Sequence, residues 1–231
     1  FWKETLLNNS LYIFIVIAII YIQIQAPGFL APASIINIIS LSAAAMPLAL
    51  GVAGTIVLTG TDLSAGRCVG LTACVSASLL QMSDYANKMF PNLPEIPIIV
   101  VLLAVVAIGA IAGLVNGFSV AKFGLHPFIV TLATQLILYG IVLIYLMNGN
   151  NNGQAISGLD ERYTSFIKGT LFTIGGTAVP MYVLYGILLT ALMWVIWNKT
   201  AFGKNMFAVG SNPEAANVSG VNVNRTITGV F

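Results

Sequence analysis

Apolar residues run along this chain in long blocks, separated by short polar or proline–glycine breaks. No charged residue occurs between Thr5 and Thr61. As one helix that stretch would be about 85 Å long, against a membrane hydrocarbon core of about 30 Å. It must turn back, and Ala26-Pro27-Gly28-Phe29-Leu30-Ala31-Pro32 supplies the break. The pattern predicts a first span over 9–25 and a second over 35–59. A third, Leu63 to Gln81, carries Arg67 and is rich in Gly, Ala, Ser, Thr and Cys. Small and hydroxylated residues suit a helix buried among helices better than one facing lipid. A fourth span lies in 96–121, a fifth runs over 127–147 from Pro127, a good first-turn residue, and a sixth lies within 179–198. A further apolar stretch opens after Arg225. The predicted fold is therefore all-α: a polytopic transmembrane helix bundle of about six spans plus the start of a seventh. It reads as one domain over 1–231, C-terminally truncated.

Composition agrees with the pattern. Apolar types make up 58% of the 231 residues and charged types 7%, where a soluble domain carries about 25% charged residues. Mean hydropathy is +0.95. This excludes a soluble enzyme, a disordered tail and a disulfide scaffold. A net charge of +2 with no basic run gives no nucleic-acid partner. Cys68 and Cys74 lie about 600° and 9 Å apart on a helix, so they cannot pair and read as small packing residues.

Orientation follows from Lys and Arg in the connections. One set of loops holds Lys3, Arg67, Lys122, Lys199, Lys204 and Arg225. The other holds Lys88, Arg162 and Lys168, diluted by Asp84, Glu95, Asp160 and Glu161. The richer set is predicted to be cytoplasmic, with the N-terminus inside. Loops 82–95 and 148–178 are then periplasmic and 199–225 is cytoplasmic. The sequons at Asn8, Asn198, Asn217 and Asn224 fall on the cytoplasmic side and carry no meaning.

Catalytic signatures are missing from the sequence. There is no phosphate-binding G-x-x-x-x-G-K-[ST], no H-E-x-x-H, no G-x-S-x-G and no metal-ligand cluster. His126 stands alone beside Pro127 and reads as a loop residue. No span interior holds an acid of the kind that relays protons or sodium. The expectation is a transport component that is not an enzyme and binds no cofactor or metal, on a passive path or one powered by a partner.

Three segments carry more information. Gly60-Thr61-Asp62-Leu63-Ser64-Ala65-Gly66-Arg67 joins spans 2 and 3. Asp62 is placed to cap a helix start, and Gly66-x-x-x-Gly70 gives a flat face for a neighbouring helix. This string is either a capped start in a tight turn or a broken helix whose polar end lines a path. Gly109-x-x-x-Gly113-x-x-x-Gly117 forms a second packing ridge, and Asn116 beside it reaches across helices or faces a wet path. In the loop after span 6, Asn212 is a preferred N-cap, Pro213 fits the first helical position, Glu214 suits the positive end and Gly220 suits the stop. That predicts a helix of about two turns over 213–219, marginal alone and docked on its own spans or on a partner.

Gly60–Arg67, Asn87-Lys88-Met89-Phe90-Pro91 and Phe202–Val223 closely resemble the permease subunits of bacterial ATP-binding-cassette importers for monosaccharides. Within that family the strings look most like its galactose and methyl-galactoside branch. Members continue into further spans after this loop, so the resemblance implies a piece of a longer protein. It also implies partners: a cytoplasmic ATPase that holds ATP and Mg, a periplasmic or lipid-anchored sugar-binding protein, and a second permease copy in a homodimer in the inner membrane. The family's coupling helix maps onto Asn212, Pro213, Glu214, Ala215, Ala216, Ser219 and Gly220, in a groove of the ATPase. Asn37, Ser40, Ser42, Thr59, Asp62, Ser64 and Asn116 are the candidates to line a sugar path, since an uncharged sugar needs hydroxyl and amide partners. A gradient-driven carrier or channel for a small neutral solute is the alternative.

Overall fold

The structure, a computed structural model, describes residues 9–231; Lys3 and the Asn8 sequon lie outside the described residues. The helices there are α1 (Ser10–Gln25), α2 (Pro32–Val57), α3 (Ala65–Leu79), α4 (Ile98–Phe123), α5 (Pro127–Leu146), α6 (Glu161–Lys168), α7 (Met181–Lys199), α8 (Ala201–Ser211), α9 (Pro213–Val218) and α10 (Val223–Val230). Four of them, α2, α4, α5 and α7, are long and apolar enough to cross a membrane. This is a multi-pass membrane architecture. Two predicted spans are shorter than a crossing. α1 has 16 residues, about 24 Å, and buries none of them. α3 has 15 residues, about 22 Å, because the chain from Leu58 to Ser64 is taken up by the turn before it.

The helices form two groups joined by α8. In the first, α2 packs on α7 through Ile36, Ala43, Val179 and Val183. In the second, α3 lies on α4 and α5, and α10 lies along α4. α8 follows α7 and touches α2, α9 and α10, with Met206 fully buried.

The glycine ridges behave differently. A Cβ on Gly117 would stand 2.8 Å from Thr228 Cα, and one on Gly113 would strike the Phe231 carbonyl. These two glycines are what let α10 approach the α4 backbone. Gly109 faces α3 at ordinary contact distance from Cys68 Sγ, 3.9 Å. Gly66 and Gly70 have nothing within 4 Å of a Cβ, so among the described residues their face has no neighbour. Both cysteines are free.

The polar segment 148–178 is more ordered than its composition suggests. Asp160 caps α6, its Oδ1 accepting from Arg162 N at 2.7 Å. Strands β1 (Thr170–Ile174) and β2 (Thr177–Pro180) pair antiparallel. Between them Gly175 and Gly176 hold φ +56° and +80°, the left-handed pair a two-residue hairpin turn requires. This segment then interlocks with 82–95. Gln81 Nε2 donates to Ser157 O at 2.7 Å, and Gln81 Oε1 accepts from Met89 N at 2.8 Å. Arg162 bonds both Asp160 and Glu95, and its guanidinium holds the Asp160 carboxyl below the ordinary range. The two loops therefore share one end of the bundle, where α7 begins, and α8 and α9 lie at the other, where it ends.

Gly117→Val should drive α10 off α4 and lower stability by about 1–3 kcal/mol, the usual cost of overpacking. Gly140→Ala, where a Cβ meets nothing within 4 Å, should be neutral or slightly stabilising. Thermal unfolding of the two variants in detergent checks the contrast; equal melting temperatures would contradict the packing.

Candidate functional site

α2 ends by reversing direction. Thr59 N donates to Ile56 O and Gly60 N to Thr55 O, both at 2.9 Å. This is the paired closure that normally places glycine in the left-handed position. Here Thr59 occupies it, at φ +58°, which is costly for a β-branched residue. Gly60 fits closely against α5, with Pro127 3.3 Å from where its Cβ would be. Helix α3 then starts at Ala65, not at Leu63, and Asp62 does not cap its first turn. Its Oδ1 instead accepts from Ser64 N at 2.8 Å and Ser64 Oγ at 2.7 Å, a local side-chain turn.

From Asp62 a chain of hydrogen bonds runs through three elements. Thr134 Oγ1 donates to Asn116 Oδ1 at 2.6 Å. Asn116 Nδ2 donates to Ser64 Oγ at 2.9 Å, and Ser64 Oγ donates on to the carboxylate. Beside it, Thr131 Oγ1 donates to Thr61 O at 3.0 Å. Ser64, Asn116 and Thr131 are all within 2% of full burial. Thr134 stands about 10 Å along α5 from its start, and Asn116 about 10 Å from the end of α4. The polar turn therefore enters the bundle instead of lying at its edge, which is the broken-helix geometry.

A cavity of about 560 Å³ opens beside this network, between α2, α3, α4 and α10. Asp62, Ser64 and Asn116 line it together with Thr55, Thr72 and Phe231. Of the other candidates, Ser40 is buried within α2, Asn37 and Ser42 are exposed on α2, and Thr59 is exposed in the turn; none of the four lines the cavity. Sequence reasoning passed over Thr55, Thr72, Thr131 and Thr134. Thr131 and Thr134 were findable, since they are hydroxyls three apart, on one face of an otherwise apolar helix. Arg67, exposed on α3, stacks its guanidinium 4.4 Å from the centre of the Tyr139 ring.

At the other site, Asn212 Oδ1 accepts from Ala215 N at 3.0 Å and caps α9. Pro213 takes the first position and Glu214 the first turn. Gly220, at φ +87°, closes the helix, with Gly220 N on Asn217 O and Val221 N on Ala216 O; Ser219 stands at the C-cap. Only Ala216 is buried. Glu214, Ala215 and Asn217 are exposed, and Val218 is 90% exposed. An open groove of about 590 Å³ runs beside α9, lined by Pro213, Glu214 and Val221–Asn224. The preceding α8 was missed by the pattern reading. Its signals are Thr200, whose Oγ1 accepts from Gly203 N, and the buried Gly203, Met206 and Val209 at helical spacing.

A membrane bundle with a polar break inside it and an exposed, well-capped helix at one end has the build of a transport permease. The family model for branched-chain amino acid transport system / permease components matches residues 34–231, and the chain belongs to that family. It is 44% identical, over 97% of its length and 66% of the relative, to the galactose/methyl galactoside import permease protein of Escherichia coli (strain K12). Against the permease of that name from Haemophilus influenzae it is 43% identical, over 99% of the chain and 67% of the relative. Against the ribose import permease protein of Bacillus subtilis it is 33% identical, over 90% and 59%. The chain thus spans about two thirds of the length of these relatives. No solved structure matches it.

Asn116→Leu should strand Thr134 and Ser64 in an apolar interior and destabilise by about 1–3 kcal/mol. Combined with Ser64→Ala it should cost clearly less than the sum of the two single changes. A double-mutant cycle on thermal unfolding in detergent measures this; strict additivity would mean the bonds are not coupled.

Proposed function

We propose that this chain is the membrane-spanning part of an ATP-driven importer for a neutral monosaccharide, galactose or a methyl galactoside, in a bacterial inner membrane. The observation that carries the reading is its 44% identity over nearly the whole chain to a galactose/methyl galactoside permease. The cavity beside the polar turn supports it. Its polar wall offers hydroxyls, an amide and one carboxylate, and Asp62 uses only Oδ1 in the bonds described, leaving Oδ2 to accept from a sugar hydroxyl.

Energy enters from outside the chain in this reading. ATP and Mg sit on a separate cytoplasmic ATPase, a binding protein delivers the sugar on the opposite side, and a second permease copy completes the path. With the N-terminus inside, α9 faces the ATPase and presents Glu214 and Val218 to it. A push on α9 passes to α8 and α10. α8 meets the end of α2, where a Cβ on Gly210 would strike the Val57 carbonyl. α10 lies on α4 within a residue of Asn116. Both routes end at the polar turn.

Glu214→Arg should abolish uptake of labelled methyl galactoside by cells carrying the full-length transporter, while the protein still inserts. A mild-detergent pull-down of wild type should recover a P-loop ATPase, and the variant should lose it. Uptake that survives without the ATPase and collapses with the ion gradient would replace this reading with a gradient-driven carrier.

A further inference from the structure

A second polar cavity, of about 220 Å³, lies at the end of the bundle opposite α9, in the interlocked loops. Tyr85, Asn87, Asn150, Asn152, Gln154 and Ser157 line it, together with the buried Asn151. Every polar side chain in this wall is neutral. The loops around it are not: they hold Asp84, Lys88, Glu95, Asp160, Glu161, Arg162 and Lys168, and none of these lines the cavity. Two of the cations are already engaged elsewhere. Lys88 follows Asn87 directly, yet it is 95% buried and its ammonium donates to Leu93 O at 2.9 Å. Arg162 is held by Asp160 and Glu95.

The wall is also fixed in place. Asn151 Nδ2 donates to Leu146 O at 3.1 Å and to Gln154 O at 2.5 Å. Asn150 N donates to Met89 O at 3.1 Å, tying one loop to the other. Tyr85 and Ser157 share a hydroxyl hydrogen bond of 2.6 Å. Met82 N donates to Gly158 O at 2.8 Å, and a Cβ on Gly158 would strike the Tyr85 ring. A plain solvated loop needs no such cross-bracing.

We propose that these loops form a binding site for a neutral polyhydroxylated ligand of monosaccharide size, separate from the membrane cavity. Each side-chain amide offers a donor and an acceptor a short distance apart, which is what neighbouring hydroxyls on a sugar ring require. A wall without charge gives no advantage to anions or cations. The volume, about 220 Å³, lies below the about 300–1,000 Å³ of sites for drug-sized ligands, which matches a single ring better than a longer oligosaccharide. The site rests on the import reading for its cargo. It would receive sugar at the outer end of the bundle before the path opens.

The test uses the full-length permease in lipid nanodiscs, without the binding protein, titrated with labelled methyl galactoside. The double variant Asn87→Leu/Gln154→Leu changes two exposed wall residues whose side chains make none of the bracing bonds, Gln154 taking part only through its backbone, so the fold should hold; unchanged thermal unfolding verifies this. Binding should weaken at least tenfold in that variant and persist in Asn116→Leu. Galacturonate, a charged analogue, should bind at least tenfold more weakly than the galactoside. Titrations indifferent to the loop variant would overturn the site. So would a variant that keeps its galactoside titration but, in a second run with the binding protein added, loses its response to that protein, which would make the cavity a docking point for protein. Uptake of the same galactoside by the whole wild-type transporter is measured in parallel. Absent uptake sinks the cargo reading itself, whereas normal uptake with binding indifferent to the loop sinks only this site.

Discussion

Asn116 sits 1% exposed, two turns from the end of an apolar helix, and much of the molecule follows from satisfying it. An amide in that setting must have both its oxygen and its nitrogen paired, at a cost of several kcal/mol otherwise. Thr134 satisfies the oxygen and Ser64 takes the nitrogen. Ser64 accepts from Asn116 through a lone pair while its own proton goes to Asp62. The chain of donors has one direction and ends on a charge, so each bond depends on the next. To bring Ser64 to that depth, α2 must stop at Val57, turn through a strained Thr59 and restart as a short α3. The shortness of α3, the position of the turn and the close approach of Gly60 to Pro127 are consequences of one buried polar network.

The spans were legible because their signal is long and simple. Uninterrupted apolar runs place α2, α4, α5 and α7 to within a few residues. Local cap chemistry made α9 legible too, since Asn212, Pro213 and Gly220 act through backbone bonds that their neighbours supply. Two kinds of feature were hidden. The Asp62 bond pattern depends on where the turn sits relative to α4 and α5, and nothing in eight consecutive residues encodes that depth. The order of the 148–178 segment was hidden because Asn, Gly and Ser dominate its start. Its order comes from partners in 82–95 about seventy residues away, apart from the Gly175-Gly176 turn, which a closer reading of the β-branched runs on either side would have found.

Glycine spacing illustrates the same limit. Gly66/Gly70 and Gly113/Gly117 share the small-xxx-small pattern. One pair carries α10 against its backbone, and the other faces open space among the described residues. The motif states that close approach is permitted; the connectivity decides whether anything approaches. For Gly117 the partner is near in three dimensions because α8 and α9 fold the chain back under the bundle before α10 begins.

That return path matters for how such a bundle can be driven. Small elements can transmit motion only if they are stiff and if both ends are seated. α9 is six residues and would not hold alone, yet it is capped at both ends and pinned at Ala216. α10 is seated on glycines, without flexible side chains between the backbones, so displacement at one end is not absorbed by rotamer changes. The element that receives it is a turn with Thr59 in a conformation its side chain disfavours and a carboxylate held by two short bonds. A strained turn stabilised by a directional network is expected to have few intermediate arrangements, because each bond positions the group that makes the next. In the importer reading proposed above, alternating access needs a step of that kind next to the path, and the polar turn is the element proposed to supply it.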